Sequence, residues 1–172
     1  MGRFWVGPPW EQPTERFTPV VIDPGRAFGT GSHPTTRLTL ELLQTLEPGS
    51  LLDVGCGSGV LSIAAAKLGF APVIGIDVDE AAVEATDANA QVNGVEVDAR
   101  LLDGLTEELP QTDVALANVA LDVVERLLPR LRSRLVVTSG YLDRDRPQVP
   151  GWEHVDRRER DGWAADLLRL SV

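Results

Sequence analysis

Leu51-Leu52-Asp53-Val54-Gly55-Cys56-Gly57-Ser58-Gly59-Val60 is the stretch that decides the fold. Residues 51–54 form a short run, apolar but for Asp53, that reads as a buried strand. The turn after it is built of glycines, and the segment 60–68 beyond has helical character and stops at Gly69. The glycines are spaced G-x-G-x-G. A dinucleotide-binding loop needs G-x-G-x-x-G, and the position of its third glycine is taken by Val60. The departure argues against a pyrophosphate seated on this helix N-terminus. The simplest structural alternative is that the glycines only make a tight strand-to-helix turn.

Outward from this loop the same pattern repeats. A strand is expected over 73–77, a helix from Asp79 or Glu80 to about Val92 with its stop at Asn93-Gly94, and a third strand over 97–102 followed by a short helical turn over 106–109. A fourth strand over 114–117 leads through Asn118 into a helix over 121–131, interrupted near its end by Pro129, and a fifth covers 135–138. Before the decisive loop, Val20-Val21-Ile22 is a short apolar run. A helix then follows with Ser32 as N-cap, Pro34 in its first turn and Leu38, Leu42, Leu43 and Leu46 on one face. Apolar runs alternating with helices require crossover connections, which build a mainly parallel sheet with helices on both faces.

The tail departs from that alternation. Residues 143–150 are polar and carry proline, and 152–158 and 163–170 alternate as a hairpin around Asp161-Gly162. The expected architecture is therefore α/β, a mainly parallel sheet ending in an antiparallel hairpin. This resembles the Rossmann-like class I S-adenosylmethionine-dependent methyltransferases, whereas a plain dinucleotide-binding fold would continue with parallel strand and helix. Residues 1–19, with Phe4, Trp5, Trp10 and Phe17 among several prolines, read as an N-terminal arm lying on the core, and 20–172 as the methyltransferase domain.

Composition bounds the function. With 172 residues, 43% hydrophobic, the chain has enough material for one core. No apolar stretch nears the roughly 20 residues of a membrane span, and the start lacks the form of a secretory signal, so a cytoplasmic protein is expected. A single cysteine, Cys56, excludes an internal disulfide, and two histidines, His33 and His154, give no metal-ligand spacing. A formal charge of -10 argues against a nucleic-acid partner. It suits a basic protein substrate, or serves only as a solubilising surface.

Several residues are candidates for ligand chemistry. In the loop resembling methyltransferase motif I, Gly55 and Gly57 let the backbone approach the amino-acid end of the cofactor, while Cys56 reads as a small filler in place of a nucleophile. Asp53 either helps hold the cofactor's amino group or orders the loop. Asp77 lies 22 residues beyond Gly55, at the end of the second strand, where a carboxylate can accept both ribose hydroxyls. Asp79 is read as the cap of the next helix. Asp103, at the end of the third strand, reads either as a partner of the adenine amino group or as a turn residue.

Asp23-Pro24-Gly25-Arg26-Ala27-Phe28-Gly29-Thr30-Gly31-Ser32-His33-Pro34-Thr35-Thr36 closely resembles the signature of the PrmA family. The resemblance continues through the glycine loop, Gly75-Ile76-Asp77, Asn89 with Asn93-Gly94, Ala117-Asn118-Val119 and Gly162-Trp163-Ala164, covering roughly residues 20–170. It implies an N-methyltransferase that uses S-adenosylmethionine to methylate lysine or N-terminal amines of the eleventh protein of the large ribosomal subunit. It also implies that Phe28, Thr36, Gly55, Asp77 and Asn118 bind the cofactor, with Phe28 and Gly29 in a loop that closes over it. Typical members carry a separate recognition domain before the catalytic half, where this sequence has only the stretch up to Pro19.

Asn118 is the expected catalytic residue. Methyl transfer is an in-line displacement, so the enzyme must hold a neutral amine lone pair on the axis behind the methyl group. An amide oxygen can accept an amine hydrogen and orient that lone pair. Lysine, with a pKa near about 10.4, must first lose a proton. His33 could assist, though fixing its loop is the simpler role. Two other readings stay open: methylation of another protein or a small-molecule amine, and a non-catalytic cofactor-binding module, against which the retained Asn118 counts.

Overall fold

The computed structural model describes residues 2–23, 25 and 31–171. Two short strands, β1 (Phe4–Gly7) and β2 (Thr18–Val21), pair in parallel, with Phe4 opposite Thr18. The N-terminal stretch is thus hydrogen-bonded to the segment that enters the core, and Lys67 Nζ donates to Pro19 O at 2.6 Å to hold it there.

Helix α1 (Pro34–Leu43) begins one residue later than expected. Its N-cap is His33, not Ser32: His33 Nδ1 accepts the Thr35 N–H at 3.3 Å and lies 2.8 Å from the Thr35 hydroxyl. Proline at the first helical position lacks only an N–H that would have had no partner in the helix. Leu38, Leu42 and Leu43 are buried and Leu46 packs beside them.

The decisive stretch forms β3 (Leu51–Val54) and α2 (Val60–Lys67). All four strand residues are buried because helices cover both sheet faces, which is why the run is continuous and does not alternate. Next come β4 (Val73–Asp77), α3 (Glu80–Asn93) and β5 (Asp98–Leu101). Asp79 caps α3 through the Ala81 N–H at 3.0 Å, and Gly94 ends it in the left-handed conformation. The helical turn expected over 106–109 is absent; 104–107 form a hydrogen-bonded turn around Asp103.

β6 (Val114–Asn118) leads to α4 (Leu121–Leu127), which tightens into a 3-10 turn over Leu128–Arg130, the interruption expected at Pro129. β7 (Leu135–Leu142) runs four residues beyond the expected stop, because its far half pairs with β9 (Trp163–Leu170), which in turn pairs with β8 (Trp152–Arg160). The β8–β9 hairpin turns on Asp161 and Gly162, at φ +52° and +80°, the pair of positive angles a two-residue I′ turn demands.

The seven-stranded sheet has the order β5-β4-β3-β6-β7-β9-β8, parallel through β7 and antiparallel at β9. One face packs α1, α2 and part of α3 around Leu38, Leu51, Ile63 and Leu116; the other packs α4 around Leu52, Ile76, Val124 and Leu127. Beyond α4, that second face is covered, among the described residues, by the segment 143–151, whose Val149 packs against it, and not by a helix.

A buried ion pair anchors this segment. Asp166 on β9 is fully buried and accepts from Arg157 Nη1 at 2.9 and 3.1 Å and from the Tyr141 hydroxyl at 2.8 Å. Arg157 Nη2 donates on to Asp143 O at 2.6 Å and Asp145 O at 2.9 Å. Taking away Asp166 leaves a mostly buried guanidinium with only the exposed Glu159 carboxylate, on its Nε, as counter-charge. Asp166→Ala is expected to destabilise the fold by about 3–5 kcal/mol, read as a lowered urea midpoint at unchanged slope.

Candidate functional site

The site is built where the strand order reverses. β3 has β4 on one side and β6 on the other, and chains leaving these parallel strands diverge to opposite faces, opening a crevice at their carboxyl ends. A cavity of about 230 Å³ lies there, walled by Val54 and Gly55 of β3 and its loop, Ile76, Asp77 and Val78 after β4, Leu102, Asp103 and Leu105 after β5, and Val119, Val123 and Leu127 around α4. Its wall is apolar apart from the two carboxylates. Val78, 70% exposed, is a large apolar side chain left open immediately after Asp77.

Asp77 is held by two backbone amides. Its Oδ2 accepts the Gly57 N–H at 3.0 Å and its Oδ1 the Asp79 N–H at 3.1 Å. Each oxygen keeps a lone pair for a further donor. The glycine loop is tied to the same strand, because the N–H groups of Gly55 and Cys56 both point to Ile76 O, at 2.8 and 3.0 Å. Gly55, at φ +74°, has no room for a side chain: a Cβ would stand 2.8 Å from Val119 Cγ1.

Cys56 faces the interior. Its thiol lies 3.4 Å from the Thr86 hydroxyl, and burial pushes it up to about 12, so it is a neutral filler. Gly75 on β4 makes space for it, since a Cβ there would lie 3.1 Å from Cys56 Cβ. Neither Cys56 nor Gly57 lines the cavity, and Thr36, buried in the first turn of α1, does not line it either. Phe28 and Gly29 lie outside the described residues.

Asp103 serves its turn and also lines the cavity. Its Oδ1 accepts the Leu105 N–H and its Oδ2 the Thr106 hydroxyl, each at 2.9 Å, while its own N–H reaches Glu107 Oε1. The backbone bond from Leu105, then the Thr106 hydroxyl, hold its carboxyl below the usual carboxylate range, so it can only accept. Asn118, at the end of β6, sits beside Val119 of the cavity wall, and among the described residues its side-chain amide makes no hydrogen bond.

Two features are not evident from spacing alone. Asn89 and Asn93, one turn apart on α3, bind across the molecule: Asn89 accepts the Asp23 N–H at 3.1 Å and donates to Ser58 O at 2.8 Å, while Asn93 pairs with both Val21 backbone groups. One helix face thus joins the segment entering the signature to the glycine loop. The available signal was a pair of asparagines at i and i+4 where a helix is otherwise expected to bury apolar groups. The other feature is the apolar set Leu102, Leu105, Val123 and Leu127, brought to one cavity only by the topology.

The carboxylate of Asp53, beneath the loop, accepts the Ser62 hydroxyl at 2.6 Å on Oδ2; its Oδ1 is buried without a partner. Burial raises its pKa from 3.8 to about 6, against the lowering effect of the Ser62 bond. The folded state therefore holds its proton more tightly than the unfolded chain. The cost of ionising Asp53 is absent below 3.8, grows as pH rises to about 6 and is complete above it. Asp53→Asn is expected to flatten this decline, raising stability by up to about 3 kcal/mol above the window and leaving it little changed below. Urea titrations of both proteins across the window check this.

Known proteins place the chain in a family. The family described as ribosomal protein L11 methyltransferase (PrmA) matches residues 1–169. Curated proteins named ribosomal protein L11 methyltransferase are similar, among them one from Neisseria meningitidis, 43% identical over 94% of this chain, and one from Symbiobacterium thermophilum, 43% identical over 96%. The chain spans 59% of the length of each. A crystal structure of a ribosomal protein L11 methylase from Lactobacillus delbrueckii superposes with a TM-score of 0.86 at 26% identity, covering 100% of this chain and 97% of that one. A Pyrococcus abyssi tRNA (uracil-54, C5)-methyltransferase in complex with S-adenosyl-L-homocysteine shares the fold, with a TM-score of 0.68 at 21% identity over 87% of this chain and 41% of that one.

Proposed function

The chain belongs to the PrmA family, and from that premise we propose that it transfers methyl groups from S-adenosylmethionine to amines of ribosomal protein L11. The observation that carries this reading is the Asp77 carboxylate, fixed by two amides on the wall of an apolar cavity at the point where the strand order reverses. The residues present fit the cofactor. Val78, Leu102 and Leu105 offer apolar surface to a purine, Asp77 offers free lone pairs to the ribose hydroxyls, and Asp103 offers acceptors to an amino group. The cradle at Gly55 is one that a Cβ would fill, and the unpartnered buried oxygen of Asp53 leaves negative charge beneath the loop that suits a cationic ligand. Beyond the cavity wall, to which Gly55 alone of the loop glycines belongs, the family resemblance adds the backbone of Cys56 and Gly57, with Thr36 and Phe28, to the proposed ligand set.

When bound, S-adenosylmethionine supplies an electrophilic methyl group and a thioether leaving group. The chain's own part is placement. Asn118 accepts one hydrogen of the neutral amine, which aims the nitrogen lone pair at the methyl group. The substrate ammonium gives up its first proton to solvent, and a second proton leaves the nitrogen after the new bond has formed. No side chain of this site needs to shuttle it. A ribosomal protein as acceptor puts the reaction in the cytoplasm, and the net charge of -10 favours a basic partner.

The reading predicts a split between two substitutions. Asp77→Ala should weaken S-adenosylmethionine binding by about 10- to 100-fold in calorimetry, the worth of hydrogen bonds to a charged group. Asn118→Ala should leave that affinity within about two-fold while lowering turnover on purified L11 in a labelled-methyl assay by about 100-fold. Binding of a nicotinamide nucleotide in place of S-adenosylmethionine, or equal loss of affinity and turnover on changing Asn118, would overturn it.

A further inference from the structure

We propose that Gly140 is a positioning residue for the methyl acceptor, a role that rests on the function proposed above and lies outside the cofactor loop. Gly140 is the extra residue of a bulge in β7: Ser139 pairs with Ala165 and Tyr141 with Ala164, leaving Gly140 with no partner on β9. It stands at φ +104°, and its backbone lies against the residue that follows Asn118. A Cβ at 140 would collide with Val119 O, and would stand 2.6 Å from Val119 C and 2.9 Å from Val119 N. All three are backbone atoms, which cannot turn aside as a side chain could.

Val119 is gripped from two strands. Gly55, after β3, leaves room for its Cγ1, and Gly140, in β7, leaves room for its peptide groups. The Val119 N–H donates to Ser139 O at 3.0 Å, and Asn118 pairs with Ser139 in the sheet register. The bulge is itself fixed: the Ser139 hydroxyl donates to Ala164 O at 2.7 Å, and on the other face the Thr138 hydroxyl lies 2.8 Å from the Tyr141 hydroxyl. The direction of the Asn118 amide and of the Val119 carbonyl is thus set by how closely β7 approaches, and only glycine at 140 permits that approach. Bulges commonly re-aim a group beside a site.

Gly151 supplies the control. It also has a positive φ, +86°, but a Cβ there would meet nothing within 4 Å. Gly140→Ala and Gly151→Ala therefore share the left-handed backbone penalty, and only the first pushes on Val119. For Gly140→Ala the expected result is turnover on L11 lowered by about 100-fold, affinity for S-adenosylhomocysteine within about two-fold, and shifted NMR signals from the Asn118 side-chain amide and the Val119 N–H. Gly151→Ala should leave turnover, affinity and those signals unchanged.

A folded Gly140→Ala protein with near-normal turnover and unmoved signals would overturn the proposal, as would equal loss of turnover and cofactor affinity. Should Gly140→Ala fail to fold, Ser139→Ala decides the matter by loosening the bulge. A loss of about five-fold in turnover at unchanged cofactor affinity is then expected, and no loss overturns the proposal. Wild-type protein that methylates nothing would count against the proposed function, while the NMR comparison would still test the Gly140 geometry.

Discussion

The hydrogen bond from the Gly57 amide to Asp77 closes the loop after β3 onto the end of β4, and most of what the site can do depends on it. It sets the separation between the two strand ends that bound the cavity, and it aims the carboxylate. Without it the glycines would be free to open, since a chain of residues at positive φ has little intrinsic preference for one shape. The shared carbonyl of Ile76, which takes the amides of Gly55 and Cys56, makes the same closure from the backbone side.

Around this closure the protein spends polar groups in places where apolar ones would pack more simply. Thr86 beneath the loop, Asn89 and Asn93 on α3, Ser62 against Asp53 and Asp166 in the hairpin are buried or half-buried, and each links one element to another. Such groups give less net stability than their gross strength, but an unmet partner is costly, so they penalise wrong arrangements. The apolar clusters on the two sheet faces hold the layers together, and these polar links fix how the loops sit on them.

The hairpin end shows the same division. With no helix beyond α4 on that face among the described residues, the segment 143–151 is held by Arg157 and by Trp152, whose ring N–H donates to Leu128 O at 3.1 Å. Charge and aromatic surface there substitute for the packing that a crossover helix would supply.

The order of strands and helices was legible in the sequence, because buried parallel strands and amphipathic helices leave different periods, and glycine, proline and asparagine mark where each stops. The spacing of Gly55, Gly57 and Asp77 told what kind of crevice to expect, and Asp161-Gly162 told where the hairpin turns. Sequence could not choose His33 over Ser32 as the cap, or foresee that β7 would run on to Leu142, since both depend on what lies alongside. Tertiary structure alone decided which apolar residues wall the cavity, that Cys56 turns inward, and that Gly140 presses against Val119. Local pattern records the conformation of a segment; a contact between segments is set by topology and by the space each side chain leaves, which no single segment carries.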